Sequence, residues 1–457
     1  MKPGVILMLI IFFALNADAQ KILSFKPLRY DEDYSFLRKD SSNNWYKKTK
    51  YSSVGKNRNA YISFGGEIRF QYFNVKNEKW GDLPKDKDGY FFTRFLPHVD
   101  FHAGKHFRTF VQLQSSTANG KTTTTPVDEN PLEAHQAFVD YNIFPTHKSQ
   151  LTFRLGRQEL YYGSQRIIAV RDGPNNRQSF DGLKSMFTTA SYKLDLFYTH
   201  FVAAQKGIFD DGFNKDVKFW GAYVIKNRSW FSSNIDLYYL GLWKRNAIFD
   251  DGQARELRHS IGSRIWGNKG NWKYDAEGLY QFGKFGDKTI SAWTGSLNAA
   301  YTFNKPKLHP QVSLKAEFIS GDAHLGDNKL QTFNPLFPRG SYFGLASLIG
   351  PANLIDIHPS LLIKLAKQLG WNIDCDAFFR YSNNDGIYGP NVALIYSGKN
   401  TNAQRIGKQL STDFTYTPND YLYFRTEFTW FDAGKYLKEA GSGKDIWWMG
   451  LTAQLRF

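Results

Sequence analysis

The final stretch of the chain, Ile446-Trp-Trp-Met-Gly-Leu-Thr-Ala-Gln-Leu-Arg-Phe457, alternates with a period of two. Trp447, Met449, Leu451, Ala453, Leu455 and Phe457 fall on one apolar face, and Trp448, Gly450, Thr452, Gln454 and Arg456 on the other. One greasy face with an aromatic at each end predicts a membrane strand that turns lipid-soluble side chains outward and polar ones toward water. Similar alternation recurs at 61–73, 90–103, 106–115, 133–144, 149–158, 182–189, 192–203, 217–227 and 231–245. It continues at 256–267, 271–283, 289–303, 308–320, 355–367, 371–382, 405–417, 420–432 and 446–457, with the segments near 182 and 355 the weakest. The pattern predicts an all-β chain, an 18-stranded antiparallel transmembrane β-barrel of the outer membrane.

The connections strengthen that expectation. Long ones at 74–89, 116–132, 159–181, 204–216, 246–255, 321–354, 383–404 and 433–445 alternate with short ones such as Gly104-Lys105 and Pro418-Asn419. Only 284–288 is brief where a long one is due. Short periplasmic turns alternating with longer external loops distinguish a bacterial barrel from a soluble sandwich. Lys2, the apolar run from Val5 to Leu15 and Ala17-Asp18-Ala19 before Gln20 predict a signal peptide over 1–19. Gln20 in place of Cys argues against a lipoprotein anchor, and no stretch is apolar enough for a membrane helix. Residues 20–60, polar and basic, are expected as an amino-terminal periplasmic or lumenal segment ahead of the barrel at 61–457.

Composition agrees. Aromatic residues make up 17% of the chain, as lipid faces and interfacial girdles require. The single Cys375 excludes a disulfide framework and a multi-cysteine metal site, and its neighbours place it on the lipid side. A net charge of +16 could attract nucleic acid, but a secreted chain rarely meets any. Attraction of an acidic polysaccharide, or simple solvation of loops, fits better.

Alternation also sorts the charges. It turns Glu67, Arg69, Arg94, His98, Asp100, Arg108, Asp140, Arg154, Arg258, Arg264, Asp275 and Glu277 into the lumen. Lys315, Glu317, Asp374, Asp376, Arg380, Asp413, Arg425 and Glu427 join them. Each Arg or Lys sent to mid-bilayer instead would cost about 2–4 kcal/mol. That lumen is dense in charge but near balance, so it predicts Arg–carboxylate networks with a local cluster of unpaired Arg at a constriction.

Several groups admit two readings. Arg157, Arg166, Arg171 and Arg177 could gather at the extracellular mouth to grip polymer carboxylates, or pair with Glu159, Asp172 and Asp181 to hold a loop. Strict alternation sends Arg157 outward unless Gly156 forms a bulge. His98, Asp100 and His102 share a face, as metal ligands could, although ordinary lumen polarity is commoner and no metal is expected. Asp275/Glu277 and Asp374/Asp376 have spacings open to a glycosidase pair, but neighbouring arginines favour structural networks. No hydrolase elbow, P-loop or zinc-protease motif appears after residue 19, so neither an enzyme nor a cofactor is expected.

Leu28-Arg-Tyr-Asp-Glu-Asp33-Tyr-Ser-Phe-Leu37, Phe64-Gly-Gly-Glu67-Ile-Arg69, Leu155-Gly-Arg157-Gln158-Glu-Leu160, Gly163-Ser-Gln-Arg166 and Val170-Arg171-Asp172-Gly-Pro-Asn175 resemble the alginate export family of outer-membrane proteins. The likeness continues to Ser179-Phe180-Asp181-Gly182. It implies an 18-stranded barrel that passes an anionic uronate polymer through an Arg-lined constriction, with Arg69, Arg94 and Arg157 as lining candidates. Gln409 stands where that family usually carries an acid. The expected protein is thus a monomeric channel in contact with outer-membrane lipid, an acidic polysaccharide or oligosaccharide and, in some settings, periplasmic export or uptake machinery. Rival expectations are a non-conducting surface-binding barrel and an outer-membrane hydrolase.

Overall fold

The computed structural model describes residues 25–42, 44–55, 59–84, 88–227, 233–305 and 307–457; the signal peptide expected at 1–19 lies outside them. The first strand, β1, spans 60–76 with a break at Gly66, and β2 spans 90–103 with a break at Leu96-Pro97. Next come β3 (Phe107–Asn119), β4 (Asn130–Thr146), β5 (Ser149–Gln158), β6 (Phe180–Thr189), β7 (Tyr192–Phe201) and β8 (Val217–Lys226). They are followed by β9 (Asn234–Phe249), β10 (Gly252–Lys269), β11 (Trp272–Phe285), β12 (Lys288–Thr302) and β13 (Gln311–Ile319). The last are β14 (Leu354–Ala366), β15 (Leu369–Phe379), β16 (Arg405–Tyr416), β17 (Leu422–Ala433) and β18 (Ile446–Arg456). Each pairs antiparallel with its neighbours, and β18 returns to β1 from Trp447↔Lys76 through Arg456↔Glu67. These eighteen strands close on themselves as a barrel.

Closure follows from the alternation. Leu155, Leu183, Leu196, Leu237, Ile261, Leu297, Leu314 and Leu451 stand exposed on the outer surface, a belt that only lipid can cover. Tyr141, Phe144, Tyr192, Trp272 and Tyr416 are exposed close to the short-turn end, where aromatic rings favour the headgroup zone. Cys375 pairs with the outward-facing Leu410, on that same surface. The tight Lys269–Trp272 turn uses Gly270 at φ +60°, a conformation that favours glycine.

One boundary differs from expectation. The supposed loop at 246–255 is hairpin, because β9 and β10 continue to a turn at Asp250-Asp251. Strands β9 to β12 have 14 to 18 residues, more than the roughly 9–11 needed to span a bilayer. Beyond the lipid no apolar alternation is imposed, so the sequence pattern fades while the hydrogen-bonded ladder does not.

The interior is filled by chain. Loop 159–179 and loop 320–353 fold inward and join each other: the Ala169 N–H donates to the Phe337 carbonyl, and the Phe337 N–H to that of Ile167. Ile167, Ile168, Ala169 and Val170 are all buried there. Phe337 packs against Phe180, Phe201 and Phe219 of the wall. At the short-turn end Arg29 donates to the carbonyls of Gly66 and Phe457, docking the amino-terminal segment across the mouth. Tyr30 packs edge-on against the stacked rings of Phe110 and Phe138.

Candidate functional site

Between the amino-terminal segment, the two inward loops and the wall lies a cavity of about 420 Å³. Its lining comes from β1, β17 and β18, from 25–29 and from both loops. Seven cationic side chains line it, Lys26, Arg29, Arg69, Arg177, Arg339, Arg425 and Arg456, against two carboxylates, Glu67 and Asp172. Four more carboxylates hold the cations without lining the space. Glu32 binds Arg29, Glu159 binds Arg177, and Asp413 and Glu427 bind Arg425. The site is therefore close to neutral in sum, yet guanidinium groups dominate its surface. Such an arrangement presents donors to an anion without burying a large net charge.

The two lining carboxylates are already engaged. Arg94, fully buried behind the cavity, bridges Glu67 and Asp172 at 2.6 Å each. Arg177 adds a 3.5 Å contact to Asp172, and these cations hold its carboxyl well below the usual carboxylate range. Arg69 donates to the carbonyls of Asp172 and Pro174 at 2.6 and 2.8 Å, and meets no carboxylate at ion-pair distance among the described residues. Among the described residues the Arg339 side chain donates to Ser341 Oγ alone, at 3.2 Å. Lys26 and Arg339 form no ion pair among the described residues. Arg69, 4% exposed with both terminal nitrogens committed to carbonyls, ties the loop to the wall, so Arg339 and Lys26 are the lining cations most open to a passing carboxylate.

The other lumen charges sit elsewhere in the bore. Arg154 forks onto Asp140 and lies over the Tyr30 and Phe138 rings. Arg108 forks onto Asp100, which also meets His102; with its oxygens so occupied, Asp100 is unsuited to a metal, and His98 stacks on Phe110. Arg264 clamps Asp275 and reaches Asp236, while Glu277 accepts from Tyr238 and Ser164. Arg258 is buried with Glu256 and Gln281.

The four arginines of 157–177 do not meet at an external mouth. Arg166 runs into the wall to Glu317 at 2.8 Å, and Arg177 binds Glu159 and the Pro27 carbonyl near the amino-terminal segment. Arg171 opens on a second cavity of about 270 Å³ beside Phe201, Leu242, Phe249, Leu336 and Phe337. Burial lowers its pKa to about 10. Arg157 is a correction: it does not line the bore. Gly156 has φ +132°, but the ladder stays in register, with Gly156↔Gly182 and Arg157↔Asp181. No bulge re-aims the side chain, so Arg157 remains on the outer face, forked onto Asp181 and donating to the Asp211 carbonyl.

Sequence reasoning missed Lys26, Arg29, Arg339 and Arg456 as lining residues. The first three lie in segments without alternation, and face assignment has nothing to act on there. Arg456 did carry a signal, because its polar face in the last strand was already assigned.

A family model described as alginate export matches residues 60–445. Among solved structures, Pseudomonas aeruginosa OccK3 (OpdO) is similar with a TM-score of 0.55 and 12% identity, over 87% of this chain and 95% of that one. P. aeruginosa OccK2 (OpdF) in complex with glucuronate has a TM-score of 0.55 and 11% identity, over 87% and 98%. OpdK with vanillate, from the same organism, has 0.55 and 10%, over 87% and 98%. At these identities the likeness concerns the fold alone. No curated protein matches the chain.

Proposed function

The chain belongs to the alginate export family and is an outer-membrane channel, and we propose that what it passes is an acidic saccharide, a polyuronate or its oligomers. The observation that carries this reading is the cavity whose surface holds seven cations while its two carboxylates are spoken for. A volume of about 420 Å³ is in the range of small-ligand sites, about 300–1,000 Å³, and suits a few sugar units of a chain at a time. Arg339 and Lys26 would meet successive carboxylates, while Arg69, Arg94, Arg177 and Arg425 keep the surface in place. Conduction needs several weak contacts in preference to one tight site, and partly engaged guanidinium groups supply them. Glucuronate in the OccK2 (OpdF) complex is a ligand of the same chemical class on a similar barrel.

Passage is passive in this scheme, and a single copy suffices, since its own strands close the bore. The test is reconstitution into planar bilayers under a salt gradient. Anion-selective reversal potentials and concentration-dependent block by uronate oligomers are expected. Cation selectivity, or block by neutral oligosaccharides as strong as by uronates, would overturn the proposal.

A further inference from the structure

Away from that cavity, β14 and β15 bring together a set of groups that the channel reading does not use. Asp356 and His358 face the bore from β14, and Asp374 and Asp376 face it from β15. Asp356 is wholly buried, yet neither of its carboxylate oxygens has a hydrogen-bond partner among the described residues. Unpartnered burial of a carboxylate is costly and calls for a positive charge. The nearest ammonium, Lys315 Nζ, stays 3.9 Å from Asp356 and leans toward Glu317 at 3.5 Å and the Tyr342 ring. Glu317 is itself taken by Arg166. Of Asp356, Asp374 and Asp376, only Asp356 comes within 4 Å of an ammonium among the described residues, and that ammonium leans elsewhere, an imbalance that a divalent cation would offset.

The donor atoms converge. His358 Nδ1 and Asp376 Oδ1 lie 2.6 Å apart, yet neither is in hydrogen-bonding geometry with the other, and Asp374 Oδ1 is unpartnered as well. Two amides secure the opposite oxygens: Gln409 Nε2 donates to Asp376 Oδ2 at 3.0 Å, and Asn372 Nδ2 to Asp374 Oδ2 at 2.9 Å. Such outer hydrogen bonds orient carboxylates toward an ion. Ligand atoms of Asp356, His358 and Asp376 all lie within 4.8 Å of one another, with 3.9 Å from His358 Nδ1 to Asp356 Oδ2. Bonds of about 2.0–2.2 Å at tetrahedral angles need ligand separations of roughly 3.3 Å, between the two observed values.

We infer that Asp356, His358 and Asp376 form a binding site in the barrel wall for a divalent transition-metal ion of the zinc class. An imidazole beside two carboxylates favours such an ion over calcium or magnesium, which prefer oxygen alone. Gln409 fits this assignment, since an amide can donate to Asp376 where a carboxylate would repel it.

The experiment is calorimetric titration of Zn²⁺ into tag-free, chelator-stripped protein in detergent at pH 7.5. One saturable equivalent is expected, weakened at least tenfold by Asp356→Asn and by His358→Gln. Asp216→Asn, in an external ion pair with Arg245, should leave binding unchanged. Heat-modifiable migration in gels shows whether each variant is folded. Absence of saturable binding to the wild type, or affinity kept within threefold in both folded variants, overturns the site. Should a variant not fold, X-ray absorption of the zinc-loaded wild type decides. One imidazole nitrogen with carboxylate oxygens supports the site, and a shell of several imidazoles or of oxygen alone overturns it.

Discussion

Arg339→Gln isolates the charge that a passing carboxylate would meet from the charges that hold the bore together. Arg339 is exposed to the cavity and its side chain's one hydrogen bond among the described residues goes to Ser341 Oγ, so removing the charge takes little from the scaffold. Two unit charges 4 Å apart attract by about 1 kcal/mol in bulk water and about 4 kcal/mol where the effective dielectric constant is 20. A wet, exposed guanidinium belongs near the lower figure, so a loss of about 1–1.5 kcal/mol is expected, or about 5- to 12-fold in affinity. The assay is current block by a uronate trimer in planar bilayers, with dissociation constants taken at 0.1 M and 1 M salt. The screening length falls from about 10 Å to 3 Å between those conditions, so the gap between wild type and variant should narrow at 1 M. Arg245→Gln, exposed on the far end of β9 in an ion pair with Asp216, serves as the control away from the cavity. A change below twofold at low salt, or an equal change for a neutral trimer, would refute the reasoning.

Other perturbations probe the scaffold. Arg94→Gln leaves Glu67 and Asp172 without their shared cation, which should destabilise the barrel by about 3–5 kcal/mol and shift reversal potentials toward cations; thermal unfolding and bilayer recording check the two effects. Arg157→Gln, on the outer face, should leave uronate block within about twofold of wild type while hastening proteolysis of the 202–216 loop that it holds through the Asp211 carbonyl. Tyr30→Ala removes the ring packed edge-on against Phe110 and Phe138 and the bond to the Glu159 carbonyl, costing about 3 kcal/mol in thermal stability and raising single-channel conductance as the segment detaches. In the loops 320–353 and 380–404, burial pushes Asp322 up to about 7 and Asp385 up to about 6. The folded loops then bind more protons than the unfolded chain, so their stability is fullest below about pH 4 and declines as pH rises toward 7. Amide exchange around 320–335 should slow when pH falls from 7 to 5, after correction for intrinsic rates; faster exchange would contradict this.

Period-two alternation made the wall of this protein legible because the bilayer punishes every misplaced charge, and the eighteen segments read from it correspond one to one with β1 to β18. The same rule placed Glu67, Arg69, Arg94, Arg154 and Arg258 inside and, applied strictly, kept Arg157 out. Adding a bulge at Gly156 would have broken a ladder that in fact stays in register, and the glycine is explained by crowding. A Cβ there would lie 2.2 Å from the Ala137 carbonyl oxygen. Alternation is silent wherever the chain leaves the wall. For Arg166 and Arg177, whose loop has no period, alternation left open a mouth or a loop-holding role, whereas Ile167-Ile-Ala-Val170 marks that loop as one that must be buried. Face assignment is also blind to register. Asp374 and Asp376 were visible as a same-face pair, but their convergence with Asp356 and His358 depends on how β14 slides against β15, which the Ser360↔Asp374 and Ile357↔Ala377 pairings determine. A barrel encodes its lipid side residue by residue, but its chemistry is set by which strand ends meet which loops across the bore. Charge density in the sequence could therefore foretell a lumen of Arg–carboxylate networks without telling which cations the networks would leave free.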